Sequence, residues 1–340
     1  MMQKIIHCCL IGAGRAGMIH ARNYNGKVKN GKIIAVSDPN EEAAKKAQQE
    51  LNCKYCYSDY NDALNNEEVD AIILVTPTKF HKEIAVAAAQ KKKHVFCEKP
   101  LASNEEEAQS IIDACAQNNV KLQVGFMRRF DPEFVAAKEA IEEGAIGDVV
   151  LIKSLTHGPS EPKKWMYDIT NSGGPIEEVN SHDFDALRWM ANDEIKTIYA
   201  VGNNFRSPEV KEEYPDYYDT VAVTVTFNSG ILGMVDGAQY VQYGYDARME
   251  ILGTKGCILV GDQGKNKLTI AESNGYIRTP AMPTWRYLFR EAYQREDQSF
   301  VNCILNDTEP LVTGFDGLMS IKVVRAGLES LLEHKVVNIE

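Results

Sequence analysis

The sequence predicts two successive domains: an α/β domain on a doubly wound parallel sheet, then an α+β domain on a mostly antiparallel open sheet. Three observations carry this. The chain has 340 residues, 44% of them apolar and 25% charged, which is the composition of a globular protein with room for two cores. Its first third alternates short, nearly continuous apolar runs with amphipathic stretches, as a parallel sheet covered on both faces requires. After about Gly125 that rhythm gives way to alternating strands flanked by helical segments. The expected domains are therefore residues 1–125 and 126–340.

In the first domain the predicted strands are Lys4–Ile11, Lys32–Ser37, Lys54–Tyr57, Ala71–Val75, His94–Cys97 and Lys121–Val124. Helical patterns lie between them near Ala16–Asn25, Glu41–Gln49, His81–Gln90 and Asn104–Asn118. Ser103, with Glu106 three residues on, reads as a capping box that starts the last of these. The second domain opens with a helix over Pro132–Glu143, a strand over Val149–Leu155 and a long polar loop reaching Gly174. A helix over Asn180–Met190 follows, then several strands between Ile195 and Ile277. Among these, Thr220–Phe227 and Ile231–Val235, joined through Asn228-Ser229-Gly230, read as a hairpin. Helices near Arg286–Leu305 and Gly317–His334 close the chain.

Charge excludes some classes of partner. The formal net charge is −11, and the longest basic run, Lys91–Lys93, reads as the solvated end of a surface helix. Neither a nucleic-acid groove nor a membrane-facing patch has the basic face it needs. The apolar run Ile5–Ile11 is too short to span a membrane and lacks a small-residue cleavage site, so a cytoplasmic protein is expected. The eight cysteines then read as reduced thiols, with Cys8, Cys9 and Cys97 in buried strands. Cys53 and Cys56 form the sole Cys-x-x-Cys, and no second pair or spaced histidines complete it, so no metal site is expected.

Chemistry enters at Gly12-Ala-Gly14-Arg-Ala-Gly17, a G-x-G-x-x-G between an apolar strand and an amphipathic helix. In that setting Gly12 makes the tight turn, and Gly14 lets the backbone approach a pyrophosphate at the helix N-terminus. Gly17 allows close packing of helix on strand, which is the Rossmann arrangement. Asp38 ends the second strand and would accept hydrogen bonds from the adenosine ribose. Pro39, Asn40 and Glu41 follow it without a basic residue, which favours NAD over NADP.

Further strings complete a pattern. Thr76-Pro77 follows the fourth strand, Glu98-Lys99-Pro100 the fifth and Gly125-Phe-Met-Arg128-Arg-Phe-Asp-Pro132 the sixth. Later comes Gly173-Gly-Pro-Ile-Glu-Glu178-Val-Asn180-Ser-His182-Asp-Phe-Asp185. In this order, over nearly the whole chain, the strings resemble the glucose-fructose oxidoreductase/inositol dehydrogenase/rhizopine catabolism family (Gfo/Idh/MocA). The Phe-Met-Arg-Arg-Phe-Asp string and Tyr243-Gly-Tyr245-Asp look most like its inositol 2-dehydrogenases.

The resemblance implies an NAD-dependent dehydrogenase acting on CH–OH groups. It places Lys99 and His182 at the substrate hydroxyl, with Glu178 where the family usually carries Asp, one helical turn before the histidine. Such an oxidation needs a base for the hydroxyl proton and a donor for the developing alkoxide. Histidine suits the first role and a lysine cation the second. For the cofactor it implies Gly12, Gly14, Arg15, Ala16, Gly17, Asp38, Thr76, Pro77, His81, Glu98 and Lys99. For the substrate it implies Arg128, His157, Trp165, Asn180 and Tyr245 beside Lys99, Glu178 and His182.

Polar groups spread over several segments suit a ring bearing many hydroxyls, so a cyclic polyol, inositol first, is the expected substrate. A sugar or glycoside ring hydroxyl is the alternative, and a non-catalytic NAD-binding sensor is the alternative from another class. The strand Thr220–Phe227 is expected to expose Val221, Val223, Val225 and Phe227, a patch that a second copy would cover. A homo-oligomer is therefore expected, a tetramer by the resemblance.

Overall fold

The structure, a computed structural model, describes residues 4–265 and 268–339; the Met-Met-Gln opening the chain lies outside them. The first strand, β1 (Ile6–Ile11), is followed by α1 (Gly17–Tyr24), β2 (Gly31–Ser37), α2 (Glu41–Leu51), β3 (Tyr55–Tyr57) and α3 (Tyr60–Asn65). Then come β4 (Ala71–Leu74), α4 (His81–Gln90), β5 (His94–Glu98), α5 (Glu105–Gln117) and β6 (Leu122–Gly125). Every neighbouring pair is parallel, and the strand order is β3-β2-β1-β4-β5-β6. The predicted doubly wound sheet is present, and its order reverses between β1 and β4, where such sheets bind ligands.

Strand alternation feeds two cores. Cys8, Leu10, Ile73 and Phe96 face one, and Cys9, Ile11, Ile72 and Leu74 the other, which is why the runs read as continuously apolar. Three local details differ from the sequence reading. Helix α3 is too short to give a period; Asp59 caps it by accepting from the Asn61 N–H. The start of α5 lies one residue later than the Ser103 box: Asn104 accepts from the Glu107 N–H at 2.8 Å, and Glu107 Oε2 accepts from the Ser103 N–H at 3.2 Å. The basic run is not uniformly solvated, because Lys93 is buried and its ammonium donates to the Asn66 and Val69 carbonyls at 3.0 and 2.6 Å.

Farther along the chain lie α6 (Pro132–Glu142), β7 (Val149–Gly158), α7 (Ile169–Ser172), α8 (Gly174–Glu178) and α9 (Ser181–Ala191). Strands β8 (Ile195–Asn203), β9 (Thr220–Phe227), β10 (Leu232–Gln239), β11 (Asp246–Gly253) and β12 (Cys257–Val260) follow. The short β13 (Ile270–Ala271) and β14 (Ile277–Arg278) precede α10 (Trp285–Leu288), α11 (Arg290–Asn306), α12 (Gly314–Glu333) and β15 (Val337–Asn338). The large sheet runs β12-β11-β7-β10-β9-β8-β15 and is antiparallel except where β10 lies parallel to β7.

Two compact units result. One runs up to Phe130 and also contains Glu291–Ile321; the other comprises Asp131–Arg290 and the chain from Lys322 on. The sequence reading counted everything after residue 125 with the second domain. Yet Phe300 and Val301 pack in the core of Leu10 and Phe96, and Val312 and Ile321 join the core of Ile72 and Leu74.

The outward face of the second sheet is the reverse of the one expected. Val221, Val223, Val225 and Phe227 are buried. They lie on the side that carries helices, where Gly233 approaches Leu187 of α9 and Gly327 of α12 approaches Ile198. The other face carries Tyr199, Val201, Leu232, Met234 and Leu252, all exposed. Apolar residues alternate on the neighbouring strands too, and register, not composition, decides which set is covered.

Candidate active site

The glycine turn leaves β1 at Gly12, whose φ of +99° suits glycine, and whose N–H donates to the Ser37 carbonyl at 2.9 Å. A Cβ at Gly12 would lie 2.4 Å from the Val75 carbonyl oxygen, and one at Gly17 2.0 Å from the Gly12 carbonyl oxygen. Gly14 is different: a Cβ there meets nothing within 4 Å, so it faces open space. Gly14 and Arg15 are exposed and Ala16 is half-buried at the start of α1. Asp38 stands beside this opening, accepting from the Ala13 N–H and the Asn40 N–H, each at 2.8 Å. Just past β4, Thr76 Oγ1 is buried with no hydrogen-bond partner among the described residues, and Pro77 is exposed. An open glycine turn, a carboxylate at the end of β2 and an unsatisfied buried hydroxyl at the sheet's switch point fit a dinucleotide.

His81 sits beneath these loops rather than at the opening. Nδ1 lies 2.8 Å from the Pro100 carbonyl and Nε2 2.9 Å from the Thr76 carbonyl. Burial pushes its pKa below the ordinary histidine value, and the neutral ring, with a single N–H, donates to one of these two carbonyls. Both ring nitrogens face main-chain carbonyls, so the buried ring packs between the two loops. Glu98 ends β5 with Oε1 2.9 Å from His20 Nε2, while Oε2 accepts the Lys99 main-chain N–H at 2.9 Å. Lys99 is half-buried and precedes a cis Pro100. Arg128, expected at the substrate, is only 1% exposed.

In the second unit Glu178 is the last residue of α8 and His182 the second of α9. They are therefore not on one unbroken helix. The intervening Val179 and Asn180 stay in the right-handed region, so the side chains remain about one turn apart across a break. Both are half-buried. Asn180 is fully buried: its Nδ2 donates to Asp183 Oδ2 at 2.8 Å, and a Cβ at Gly237 would lie 1.9 Å from its Oδ1. It packs the helix start onto the sheet. Asp183 completes this anchor, with Oδ1 accepting from Ser154 Oγ at 2.5 Å and Thr156 Oγ1 at 3.0 Å.

Because strand side chains alternate, β7 gives Ser154 and Thr156 to α9 and turns His157 to the other face. There His157 meets the Tyr243 hydroxyl through Nδ1 and Asp236 Oδ1 through Nε2 at 3.1 Å. Burial pushes the Tyr243 phenol up to about 12, so it stays protonated. Tyr245 is buried edge-on against Phe289, ring centroids 6.4 Å apart, and Trp165 stands 51% exposed on the turn Lys164–Tyr167. The sequence reading missed His20, Asp183 and Asp297. His20 gave the one available signal, a polar residue on the helix face that buries Gly17, Ala21 and Tyr24.

Comparison with known proteins decides the family. The profile of the oxidoreductase family with an NAD-binding Rossmann fold matches residues 6–126, and that of the GFO/IDH/MocA C-terminal domain matches residues 134–259. The chain belongs to the Gfo/Idh/MocA oxidoreductase family. This Gfo/Idh/MocA chain is 33% identical to a scyllo-inositol 2-dehydrogenase (NAD(+)) of Bacillus subtilis (strain 168), over 97% of this chain and 95% of the relative. It is 31% identical to a myo-inositol 2-dehydrogenase of Thermotoga maritima, over 97% of this chain and 98% of that protein. The crystal structure of scyllo-inositol dehydrogenase from Lactobacillus casei with bound NAD(H) and scyllo-inositol matches with a TM-score of 0.92 at 31% identity, covering 99% of each chain. As a Gfo/Idh/MocA oxidoreductase the chain has an NAD-binding Rossmann domain, and the opening at Gly14 belongs to it. Among the described residues no helix is long and apolar enough to cross a membrane.

Proposed function

We propose that the chain oxidises one secondary hydroxyl of an uncharged cyclic polyol, an inositol first, to the ketone. The observation that carries this reading is Lys99. It stands half-buried at the carboxyl end of β5, in the same unit as the open glycine turn, with its main chain pinned by Glu98. The named activities of the relatives point to the same substrate class.

NAD, when bound, supplies the nicotinamide C4 that accepts the hydride. Lys99 holds the substrate oxygen through its ammonium as negative charge develops there. His182 takes the hydroxyl proton, and Glu178 orients the imidazole or a neighbouring hydroxyl. Asp38 selects NAD by accepting from the adenosine ribose hydroxyls, which a 2′-phosphate would replace with repulsion. Trp165, being exposed, is available to cover a ring; Arg128, His157, Asn180 and Tyr245 are the further substrate contacts of this reading. A sugar or glycoside ring hydroxyl is the second reading, favoured by Glu178 in the place of the family's usual Asp.

A second copy of the chain covers the outer face of the large sheet, giving a homo-oligomer, a tetramer, in the cytoplasm. Three features support this: the exposed apolar residues of β8, β10 and β11, their alignment across the register, and an ion pair between Lys153 and Glu250 at 2.9 Å, which leaves little unpaired charge.

A screen of NAD reduction over inositol stereoisomers, free sugars and glycosides tests the function. Turnover with an inositol is expected. Turnover with glycosides alone removes the inositol assignment, and activity only with 2-hydroxy acids, sugar phosphates or linear alcohols overturns the reading. Absence of turnover with every substrate leaves the non-catalytic sensor.

A further inference from the structure

Inside the first unit three ionisable side chains stand in line, and the reaction proposed above uses neither His20 nor Asp297. His20, on α1 and 0% exposed, lies between two carboxylates: Nδ1 is 2.7 Å from Asp297 Oδ1 and Nε2 is 2.9 Å from Glu98 Oε1. Asp297, on α11, is equally buried and accepts Asn23 Nδ2 on its other oxygen at 2.8 Å. The rings of Phe96 and Tyr293 flank the imidazole at 4.9 and 5.3 Å. Burial alone would push the His20 pKa down. Asp297 and, after it, Glu98 outweigh burial and hold the pKa well above the ordinary histidine value, so the ring is a cation with both N–H groups donating.

One buried cation between two carboxylates is an expensive arrangement, and well-packed apolar side chains would hold these elements together at lower cost. Its outer end shows what it does. The second oxygen of Glu98 accepts the main-chain N–H of Lys99, and a Cβ on the facing Gly125 would come within 2.9 Å of that oxygen. The Glu98 carboxylate is thus held by His20 on one oxygen and walled by β6 on the other.

We propose that His20 and Asp297 are positioning residues for the dehydrogenase reaction: they fix the Glu98 carboxylate, and through it the point at which Lys99 leaves strand β5. An ammonium that must meet developing charge is sensitive to small displacements of its own backbone. The inference rests on Lys99 acting at the substrate oxygen.

The test compares His20→Gln, Asp297→Asn and Lys99→Ala in the full chain, with NAD and with myo- and scyllo-inositol, protiated or deuterated at the reacting carbon. Thermal melting and NAD titration establish that each variant is folded and binds cofactor. For His20→Gln and Asp297→Asn, kcat is expected to fall about 10–100-fold with KM for NAD and inositol within about threefold of wild type. The deuterium isotope effect on kcat should rise as the hydride step becomes more limiting. Near-wild-type kcat in a folded variant overturns the proposal, as does a loss that follows weakened NAD binding. If neither variant folds, the trio serves the fold alone and the proposal is likewise overturned. Lys99→Ala separates the two layers: full turnover there removes the role of Lys99 itself, whereas its loss beside an active His20→Gln removes only the positioning role.

Discussion

A Cβ at Gly17 would lie 2.0 Å from a main-chain oxygen, whereas one at Gly14 meets nothing, although both belong to one turn. The two positions should therefore separate stability from binding. Gly14→Val is expected to keep the melting temperature and to weaken NAD binding, because its side chain fills the cofactor's approach. Gly17→Val is expected to destabilise the Rossmann unit itself. Melting curves and NAD titrations check both, and equal effects on melting would contradict the distinction. His20 gives a pH prediction at the same scale. A histidine whose folded pKa is raised adds stability that is full below its unfolded value, near 6.5, and is lost as pH rises through the folded value. Above neutrality the unfolding free energy should therefore fall by up to about 1.4 kcal/mol per pH unit for the one proton retained in the folded state. Urea titrations at several pH values should show this slope in wild type and its loss in His20→Gln; identical slopes would contradict it. At residue level the glycine turn and the places of Asp38 and Lys99 at strand ends were legible, because they rest on short spacings along the chain. Asp297 was not, since it meets His20 from 277 positions away in the chain.

Among the elements, the break between α8 and α9 matters most, since Glu178 ends one helix and His182 begins the next. The start of α9 is tied to β7 through Asp183, which receives Ser154, Thr156 and Asn180. Removing that carboxylate by Asp183→Ala leaves three buried donors without their acceptor and should cost at least about 2 kcal/mol. Turnover should fall further than the loss of folded protein explains, because His182 is the neighbouring residue. Denaturant unfolding and kcat per folded molecule measure the two parts; unchanged stability would contradict the anchor. The sequence located the start of α9 to within one residue but placed Glu178 one turn before His182 on the same helix, because residues that stay right-handed through a break leave the helical spacing intact. The six parallel strands were easier, each being a short apolar run between helical patterns. The start of α5 lies one residue from the expected cap, since Asn104 and not Ser103 accepts from the first turn.

Across the whole molecule, the order of elements was readable and their partnership was not. Glu291–Ile321 packs with the first unit because Phe300, Val301, Val312 and Ile321 fill its two cores, and no local pattern names the core a helix will join. The exposed side of the large sheet was misassigned for a related reason: Val221, Val223 and Val225 form a good apolar stripe, but Tyr199, Leu232 and Met234 on the opposite face form another. Since the second stripe is the uncovered one, Met234→Asp should dissociate the proposed oligomer, while a substitution of buried Val223 should unfold the chain. Light scattering that shows a wild-type monomer at micromolar concentration would contradict the assembly. The central claim is NAD-dependent oxidation of a cyclic polyol by Lys99 and His182. Its most direct measurement is the single-turnover rate of NAD reduction with inositol in wild type, Lys99→Ala and His182→Ala, each saturated with cofactor. The account predicts turnover in wild type and a loss of about 100-fold or more in each variant, with NAD affinity little changed. No reduction by wild type with any inositol isomer, or near-full rates in either variant, would contradict it.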